Sequence, residues 1–332
     1  MSLVLMLEER PEKSAPTLTL ARNLESLGYE TVFSGDIGAL GIREWARLCR
    51  RASVLIMVNY YYLDTFLVRQ LAVAVSLGRP LVRWWVGTDV FNALERPLIA
   101  ESARSSRWMF SRQIAVSPHL VDELETIGIQ AQYIPSVCEL DTVATVLNNV
   151  PGSILVYLPG KRREFYGSDL VEEAIKAYPD IEFVIVADEV HSLAAYPNVR
   201  SMGWVSDMEE IWDSVGGLLR MTSHDGMPRM VLEALRRGKH VIYAWPFPGC
   251  ILAESRDEVF RALDDFRRQT SVNLDGISQV QKLLASDPAA RFGAVLAEVL
   301  DERKPVRCIR GIGAAVTHTC RMKTRSRVYL TG

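Results

Sequence analysis

Short apolar runs alternate with amphipathic stretches along most of the chain. Apolar runs of about four to eight residues that alternate with helical periodicity are typical of parallel sheets built from β-α-β units. In the first half this pattern predicts strands at residues 3–7, 31–33, 54–58, 81–85, 114–116 and 132–135, with helices near 15–27, 42–51, 64–77 and 118–127.

The same alternation of apolar runs and amphipathic stretches starts again after Val150-Pro151-Gly152. Here it predicts strands at residues 154–158, 183–186, 199–202, 217–220 and 241–244, with helices near 168–177, 207–213 and 228–237. Two consecutive units of this kind predict an α/β chain with two Rossmann-like domains facing one another across a cleft. The predicted boundaries are 1–145, 150–290, and 291–332 for a C-terminal helix and basic tail, with a helix somewhere in 285–303 packing back on the first domain. Ligands of such sheets bind beyond the carboxyl ends of the strands.

Composition narrows the class of protein further. At 332 residues the chain is longer than a single hydrophobic core usually supports, which suggests two domains. Its net charge of −2 gives no global electrostatic argument for binding to nucleic acid. The five cysteines are odd in number and scattered, which fits a reducing cytoplasm. No apolar run approaches the roughly 20 residues of a spanning helix, and the N-terminus lacks the basic region of a signal peptide. We therefore expect a cytoplasmic protein, at most peripheral to the inner face of a membrane.

The last 30 residues differ from the rest. Residues 303–332 contain eight Lys or Arg and no Asp or Glu. Such a segment is either a basic arm for anionic lipid or nucleic acid or a disordered or loosely docked tail, and we favour the tail. The spacing of Cys308, His318 and Cys320 does not match a metal site.

Residues 223–244 combine an acid-glycine turn, an apolar helix with one acid, and a strand. A proline at its start and a glycine past its end predict the helix over 228–237. The turn follows the strand at 217–220 and precedes the helix N-terminus, whose free N–H groups favour an anion. Asp225 and Glu233 are thus placed to grip sugar hydroxyls while a phosphate lies on the helix end. A helix-capping Asp225 with a solvated Glu233 is the alternative, since Asp-Gly turns are common.

A resemblance to a known enzyme family extends over residues 198–244, NVRSMGWVSDMEEIWDSVGGLLRMTSHDGMPRMVLEALRRGKHVIYA. This stretch resembles the donor half of group 1 glycosyltransferases, the retaining family 4 type of GT-B enzymes. Gly203-Trp204, Asp207 and Glu233-Ala234 match the family pattern, in which seven residues separate two glutamates. Asp225 stands in place of the first glutamate at the correct spacing. The resemblance implies two Rossmann-like domains, an N-terminal one for the acceptor and a C-terminal one for a nucleotide-sugar donor.

The family's donor-binding roles carry over by position. The second glutamate of the family holds the ribose and the first reaches hydroxyls of the donor sugar, which implies ribose binding by Glu233 and sugar binding, with a catalytic role, by Asp225. Aspartate is one methylene shorter, so its grip on the sugar differs. Gly226 completes the turn, and His224 either reaches the same hydroxyls or caps the loop. Arg229 has the right sign for a diphosphate, although a cation in a first helical turn opposes the helix dipole.

A basic loop, Pro159-Gly160-Lys161-Arg162-Arg163, follows the first strand of the second unit. It resembles the family loop in which an Arg and a Lys neutralise the donor diphosphate, where fixed cations stabilise the charge that develops on the leaving group. In the family the two basic residues stand further apart, so which two of the three bind stays open. We take Lys161 and Arg162 as the candidates, with a solvated basic loop as the alternative.

The first unit matches the family in fewer places. Trp85-Val86-Gly87-Thr88-Asp89 resembles its His-Gly-x-Asp segment near the reacting sugar, which implies a donor contact at Gly87 and a catalytic role for Asp89. Valine stands at the histidine position, and Glu8–Lys13 replaces the glycine-rich acceptor loop. The aromatic run Asn59–Tyr62 either stacks on an acceptor or is buried against a helix.

These features favour a retaining glycosyltransferase that moves a sugar from a nucleotide-diphosphate sugar to an unknown glycan, lipid-linked or small-molecule acceptor. The resemblance implies no metal and no cofactor, and no Asp-x-Asp diphosphate motif occurs. A sugar-nucleotide 2-epimerase is the second hypothesis; it needs more acids and histidines near the sugar than Asp89, His119 and His224. A non-catalytic sugar-nucleotide-binding subunit is the third. Nucleic acid is not expected as a partner, whereas a peripheral membrane contact fits the basic tail.

Overall fold

The computed structural model describes residues 2–8, 15–37, 39–58, 65–136, 151–302 and 304–329. The chain separates into two compact units, Met1–Glu139 together with Asp287–Gly332, and Leu140–Ser286. The aromatic run Asn59–Tyr62, the larger part of the Glu8–Lys13 loop and nearly all of the segment between the predicted domains lie outside the described residues.

The first unit is a six-stranded parallel sheet with helices. Its strands are β1 (Leu3–Leu7), β2 (Glu30–Phe33), β3 (Val54–Val58), β4 (Leu81–Trp85), β5 (Arg112–Ala115) and β6 (Gln132–Tyr133), in the order β2-β1-β3-β4-β5-β6. Its helices are α1 (Pro16–Ser26), α2 (Ile42–Arg51), α3 (Thr65–Ser76), α4 (Thr88–Glu95), α5 (Pro97–Ser106) and α6 (Pro118–Thr126). Every residue of β1, β3 and β4 is buried, as expected for parallel strands covered on both faces.

The second unit repeats this architecture. Its strands are β7 (Ser153–Tyr157), β8 (Glu182–Val186), β9 (Val199–Gly203), β10 (Gly217–Arg220), β11 (His240–Tyr243) and β12 (Ile251–Leu252), all parallel, in the order β12-β11-β10-β7-β8-β9. Its helices are α7 (Ser168–Ala177), α8 (Glu209–Ser214), α9 (Arg229–Arg236), α10 (Arg256–Phe266) and α11 (Leu274–Ala285). The first strand of the unit, β7, therefore lies between β8 and β10, where the chain reverses its direction of travel across the sheet.

Two further helices, α12 (Pro288–Asp301) and α13 (Lys304–Tyr329), belong to the first unit. Helix α12 packs beside α1: the Tyr29 hydroxyl donates to the Gly293 carbonyl oxygen at 3.3 Å. The Phe292 ring meets the Trp84 ring edge-on, with centroids 5.9 Å apart. Helix α12 thus covers apolar side chains of the first sheet.

Helix α13 corrects the prediction of a disordered or loosely docked tail. It packs against α3 and α5 through small residues at helical spacing, Gly311, Ala314 and Ala315. A Cβ at Gly311 would lie 2.5 Å from the Val75 Cβ, so glycine is what allows this approach. In the sequence, the many basic residues of this segment obscured the helical spacing of these small residues. Within the described part of the chain, no helix has both the length and the apolar character needed to cross a membrane.

Candidate functional site

The loops that follow β7 and β10 meet at the carboxyl edge of the second sheet. These two strands are neighbours, and the chain leaves them toward opposite sides of the sheet. Open α/β sheets bind ligands at such a switch point. The Ser223 N–H donates to the Phe165 carbonyl oxygen at 2.8 Å, which joins one loop to the other. Gly167 has φ +69°, and a Cβ there would lie 2.6 Å from the Met221 carbonyl oxygen. The approach of the two loops therefore requires glycine, and together they form one surface.

The basic loop after β7 contributes cations to this surface. Lys161 and Arg162 lie in a short 3-10 turn and are exposed, and the Arg162 guanidinium lies 4.0 Å from the centre of the Phe165 ring. Arg163 instead pairs with the fully buried Asp188 at 3.6 Å. Because Arg163 is held by that carboxylate, Lys161 and Arg162 are the cations of this loop that face solvent.

The Asp225 carboxylate is fixed by the chain at both oxygens. Its Oδ2 accepts a hydrogen bond from Arg220 Nε at 2.7 Å, and Thr222 Oγ1 lies 3.4 Å away. Its Oδ1 accepts the Gly226 N–H at 3.0 Å. The side chains of Arg220 and Asp225 are 10% and 14% exposed. Asp225 is therefore mostly shielded from water and set in one orientation.

Arg220 is the residue of this site that sequence reasoning missed. Its guanidinium carbon lies 5.6 Å from the centre of the Tyr157 ring and 5.7 Å from that of Tyr166. Burial acts to lower the pKa of Arg220, but the charge and hydrogen bond of Asp225 outweigh it, and the pKa is raised. Burial and the Asp225 charge also raise the pKa of Tyr243. The signal in the sequence was an arginine at the end of an apolar strand, because a buried cation requires an anion.

Glu233 and Arg229 form an ion pair along one side of α9. The Arg229 Nε donates to Glu233 Oε1 at 2.6 Å, and the side chains are 40% and 16% exposed. The structure thus brings together Glu233, which is predicted to bind the ribose, and Arg229, which is predicted to bind a phosphate, on helix α9. Arg229 is the solvent-exposed partner of this pair, and Glu233 is the shielded one.

His224 lies inside the turn and packs it onto the neighbouring chain. It is 5% exposed, and its ring meets the Trp245 ring edge-on with centroids 5.2 Å apart. Trp245 Nε1 in turn donates to the Thr222 carbonyl oxygen at 3.1 Å. These contacts support the interpretation in which His224 fixes the loop, while Gly226 presents its N–H to Asp225.

Asp89, the other predicted catalytic acid, lies in the first unit and is fully buried. Its Oδ1 accepts the N–H groups of Val86, Gly87 and Val90 at 3.1, 3.0 and 3.0 Å. Its Oδ2 lies 3.4 Å from a terminal nitrogen of Arg83. Gly87 has φ +131°, a conformation that needs glycine. This carboxylate shapes its own turn, and its catalytic role stays a prediction.

The predicted residues consequently fall into two groups. The second unit carries Asp225, Glu233, Lys161, Arg162, Arg229, Gly226 and His224, and the first carries Asp89 and Gly87. No cluster of three or more His, Cys, Asp or Glu that could hold a metal ion occurs among the described residues. The residues of the second unit comprise cations suited to a diphosphate and acids suited to hydroxyls, carried by the joined loops after β7 and β10 and by α9.

The overall fold is similar to that of several solved glycosyltransferase structures. HepE from Anabaena, solved with UDP and glucose, matches with a TM-score of 0.64 and 12% identity, covering 90% of this chain and 100% of HepE. Sucrose-phosphate synthase from Thermosynechococcus elongatus matches with a TM-score of 0.61 and 11% identity, covering 90% of this chain and 99% of the synthase. The pneumococcal O-GlcNAc transferase GtfA, solved with UDP and GlcNAc, matches with a TM-score of 0.55 and 11% identity, covering 79% of this chain and 60% of GtfA.

These likenesses, with two six-stranded parallel sheets, confirm the predicted GT-B fold and its two Rossmann-like domains. No known protein-family model matches the sequence, and no curated protein matches it.

Proposed function

We propose that this protein is a glycosyltransferase whose second domain binds a nucleotide-diphosphate sugar at the carboxyl edge of its sheet. The observation that carries the proposal is the junction of the β7 and β10 loops. It joins the loop that carries Lys161 and Arg162 to the loop that carries Asp225 and leads into α9. The solved neighbours with bound UDP or UDP-glucose support a nucleotide sugar as donor, and UDP-sugars are the first to test.

In this proposal each charged group binds a different part of the donor. Lys161 and Arg162 neutralise the diphosphate, with the N-terminal N–H groups of α9 as additional donors. Glu233 accepts hydrogen bonds from the ribose hydroxyls and releases Arg229, which turns to the phosphates. Asp225, held by its arginine, accepts from a hydroxyl of the sugar ring.

The chemical step follows the retaining, metal-independent course that the family resemblance implies. The bond between the anomeric carbon and the phosphate oxygen breaks, and the nucleoside diphosphate leaves with the electron pair. The acceptor oxygen bonds to the anomeric carbon from the same side, and its proton passes to the departing phosphate oxygen. The cations stabilise the charge that grows on the leaving group, and no protein nucleophile is required. The acceptor is a glycan, a lipid-linked sugar or a small molecule bound by the first domain, in which Asp89 and Gly87 form the turn after β4.

The first test is the Glu233→Ala variant with calorimetry against UDP. Loss of hydrogen bonds to a charged acceptor costs about 1.5–3 kcal/mol each, so affinity should fall about a hundredfold. Glu210→Ala removes an exposed acid from α8 and serves as the matched control with unchanged affinity. Unchanged affinity in Glu233→Ala would refute this ribose site.

A panel of nucleotide sugars with acceptors then separates the candidate functions. Release of nucleoside diphosphate with transfer of the sugar supports the glycosyltransferase, and an epimerised donor supports the epimerase. Binding without turnover supports a non-catalytic sugar-nucleotide-binding subunit. The Arg220–Asp225 pair favours this last alternative, since an acid that is already paired is a weaker partner for a sugar.

A further inference from the structure

Helix α13 has one buried face and one exposed apolar face. Gly311, Ala314, Ala315 and His318 are buried against the first domain, and His318 Nδ1 shares a hydrogen bond with Ser105 Oγ of α5. On the opposite side, at spacings of three and four residues, Ile309 is 75% exposed, Ile312 is 42% and Val316 is 58%. Large side chains in a stripe of this kind normally face a hydrophobic partner. We call these three residues the apolar stripe of α13.

The segment that carries the apolar stripe is strongly cationic. Residues 303–332 hold eight Lys or Arg and no acid, within a chain whose net charge is only −2. Arg310 pairs with Glu302 at 3.6 Å, but that carboxylate is also shared with Arg112. The partner of this helix must therefore accept hydrophobic side chains and supply negative charge.

An exposed tryptophan lies beside the same helix. The 3-10 turn Arg107–Met109 packs against α13, and Trp108 is 53% exposed with the Arg107 guanidinium 4.9 Å from its ring centre. Trp108 and Arg310 also line one groove of the first domain. Tryptophan with a neighbouring cation is favoured at the boundary between lipid headgroups and acyl chains.

We propose that α13 lies on an anionic lipid bilayer, with the apolar stripe and Trp108 entering the headgroup boundary and the positive charge of the segment attracting it to the lipid phosphates. A bilayer surface offers apolar and anionic contacts together. A second copy of α13 would bring two cationic segments against each other, and a nucleic-acid backbone offers no partner for the apolar stripe. The binding is peripheral and holds the first domain against the membrane.

The test is flotation of the full chain with vesicles of phosphatidylcholine alone and of phosphatidylcholine with phosphatidylglycerol in equal parts. The wild-type protein should float with the anionic vesicles only. The combined variant Ile309→Ser, Ile312→Ser and Val316→Ser should lose more than about tenfold in affinity for the anionic vesicles, because it has no large aliphatic side chains to bury in the bilayer at these positions. Replacing Lys323, Arg325 and Arg327 by Gln should cost about fivefold per charge.

Matched controls keep the test independent of folding and of catalysis. Val190→Ser with Leu274→Ser removes two equally exposed apolar residues, 70% and 68% exposed, from the second domain, and should leave flotation unchanged. The stripe variant should keep the thermal midpoint and the UDP affinity of the wild type, because its residues lie outside the donor site. Membrane binding and the proposed function can thus fail separately.

Four results would overturn the proposal. The first is equal flotation with neutral and anionic vesicles, and the second is unchanged flotation of the stripe variant. The third is a wild-type dimer by light scattering that the stripe variant converts to monomer, because the apolar stripe would then be an interface between copies. Oligonucleotide binding without vesicle binding would likewise replace the bilayer by nucleic acid.

Discussion

The two domains carry the same kind of ion pair at the carboxyl edges of their sheets, in different settings. In each, an arginine inside or at the end of a strand pairs with an aspartate of the segment that follows: Arg83 with Asp89 in the first turn of α4, and Arg220 with Asp225 in the loop before α9. The first pair is 1% and 0% exposed, and the second is 10% and 14% exposed. Asp89 accepts the N–H groups of Val86, Gly87 and Val90, and Asp225 accepts that of Gly226 beside its arginine. The same kind of pair is thus fully buried in one domain and slightly exposed in the other.

The loops after the first strands of the two sheets differ in charge. Glu8 follows β1, and burial raises its pKa against the opposing hydrogen bond of Thr17. Lys161 and Arg162 follow β7 and are exposed. Under the proposed function, a diphosphate is therefore favoured at the second edge and repelled by Glu8 at the first. Because the two folds are alike, the proposal places the nucleotide at the second edge on the charge of these few loop residues.

The largest effect is expected from comparing Asp89→Asn with Asp225→Asn. Removing one partner of a buried pair leaves an uncompensated charge, so Asp89→Asn should lower the free energy of unfolding by about 3 kcal/mol or more. Asp225→Asn should lower it by about 1–2 kcal/mol and should also slow sugar transfer. Chemical denaturation and product formation measure the two effects. Equal losses of stability would show that exposure does not distinguish the pairs.

The second prediction concerns the cations after β7. Replacing Lys161 and Arg162 by Gln should weaken UDP binding about a hundredfold, because each charge-assisted contact contributes about 1.4 kcal/mol or more. Uridine, which lacks phosphates, should bind the variant as it binds the wild type. Calorimetry with both ligands measures this difference, and Arg261→Gln, an exposed arginine of α10, is the control. An equal loss for uridine would contradict the phosphate role.

The periodic pattern predicted most of the strands and helices of both sheets, including β3, β4 and β10 at their observed bounds. Buried parallel strands are apolar on both faces, so hydrophobicity alone reveals them. Helix α4 was missed because it starts within the turn at Gly87, whose glycine marks a loop. Helix α13 was missed because its buried face consists of small residues.

The candidate site was predicted only in part. The spacing of Asp225 and Glu233 and the basic loop after β7 were visible in the sequence, because they are contiguous motifs. The pairing of Asp225 with Arg220, and of Glu233 with Arg229, depends on side-chain direction, which a motif does not contain. An arginine in an apolar strand was the missed signal in both domains, and each one proved to hold the aspartate of the next turn.

The smallest effect is expected at Glu8, where the first edge departs most from the second. An acid whose pKa is raised on folding binds more protons in the native state than in the unfolded state. Stability is therefore lost as pH rises from the ordinary glutamate pKa, about 4.3, through the raised value of the folded protein. Glu8→Gln removes this penalty and should raise the denaturation midpoint slightly near about pH 7, with no gain below about pH 4. The control Glu30→Gln, at an exposed position of β2, should leave the midpoint unchanged at both. A gain for Glu8→Gln that persists in acid would mean that packing, and not the ionised carboxylate, sets the energy at this edge.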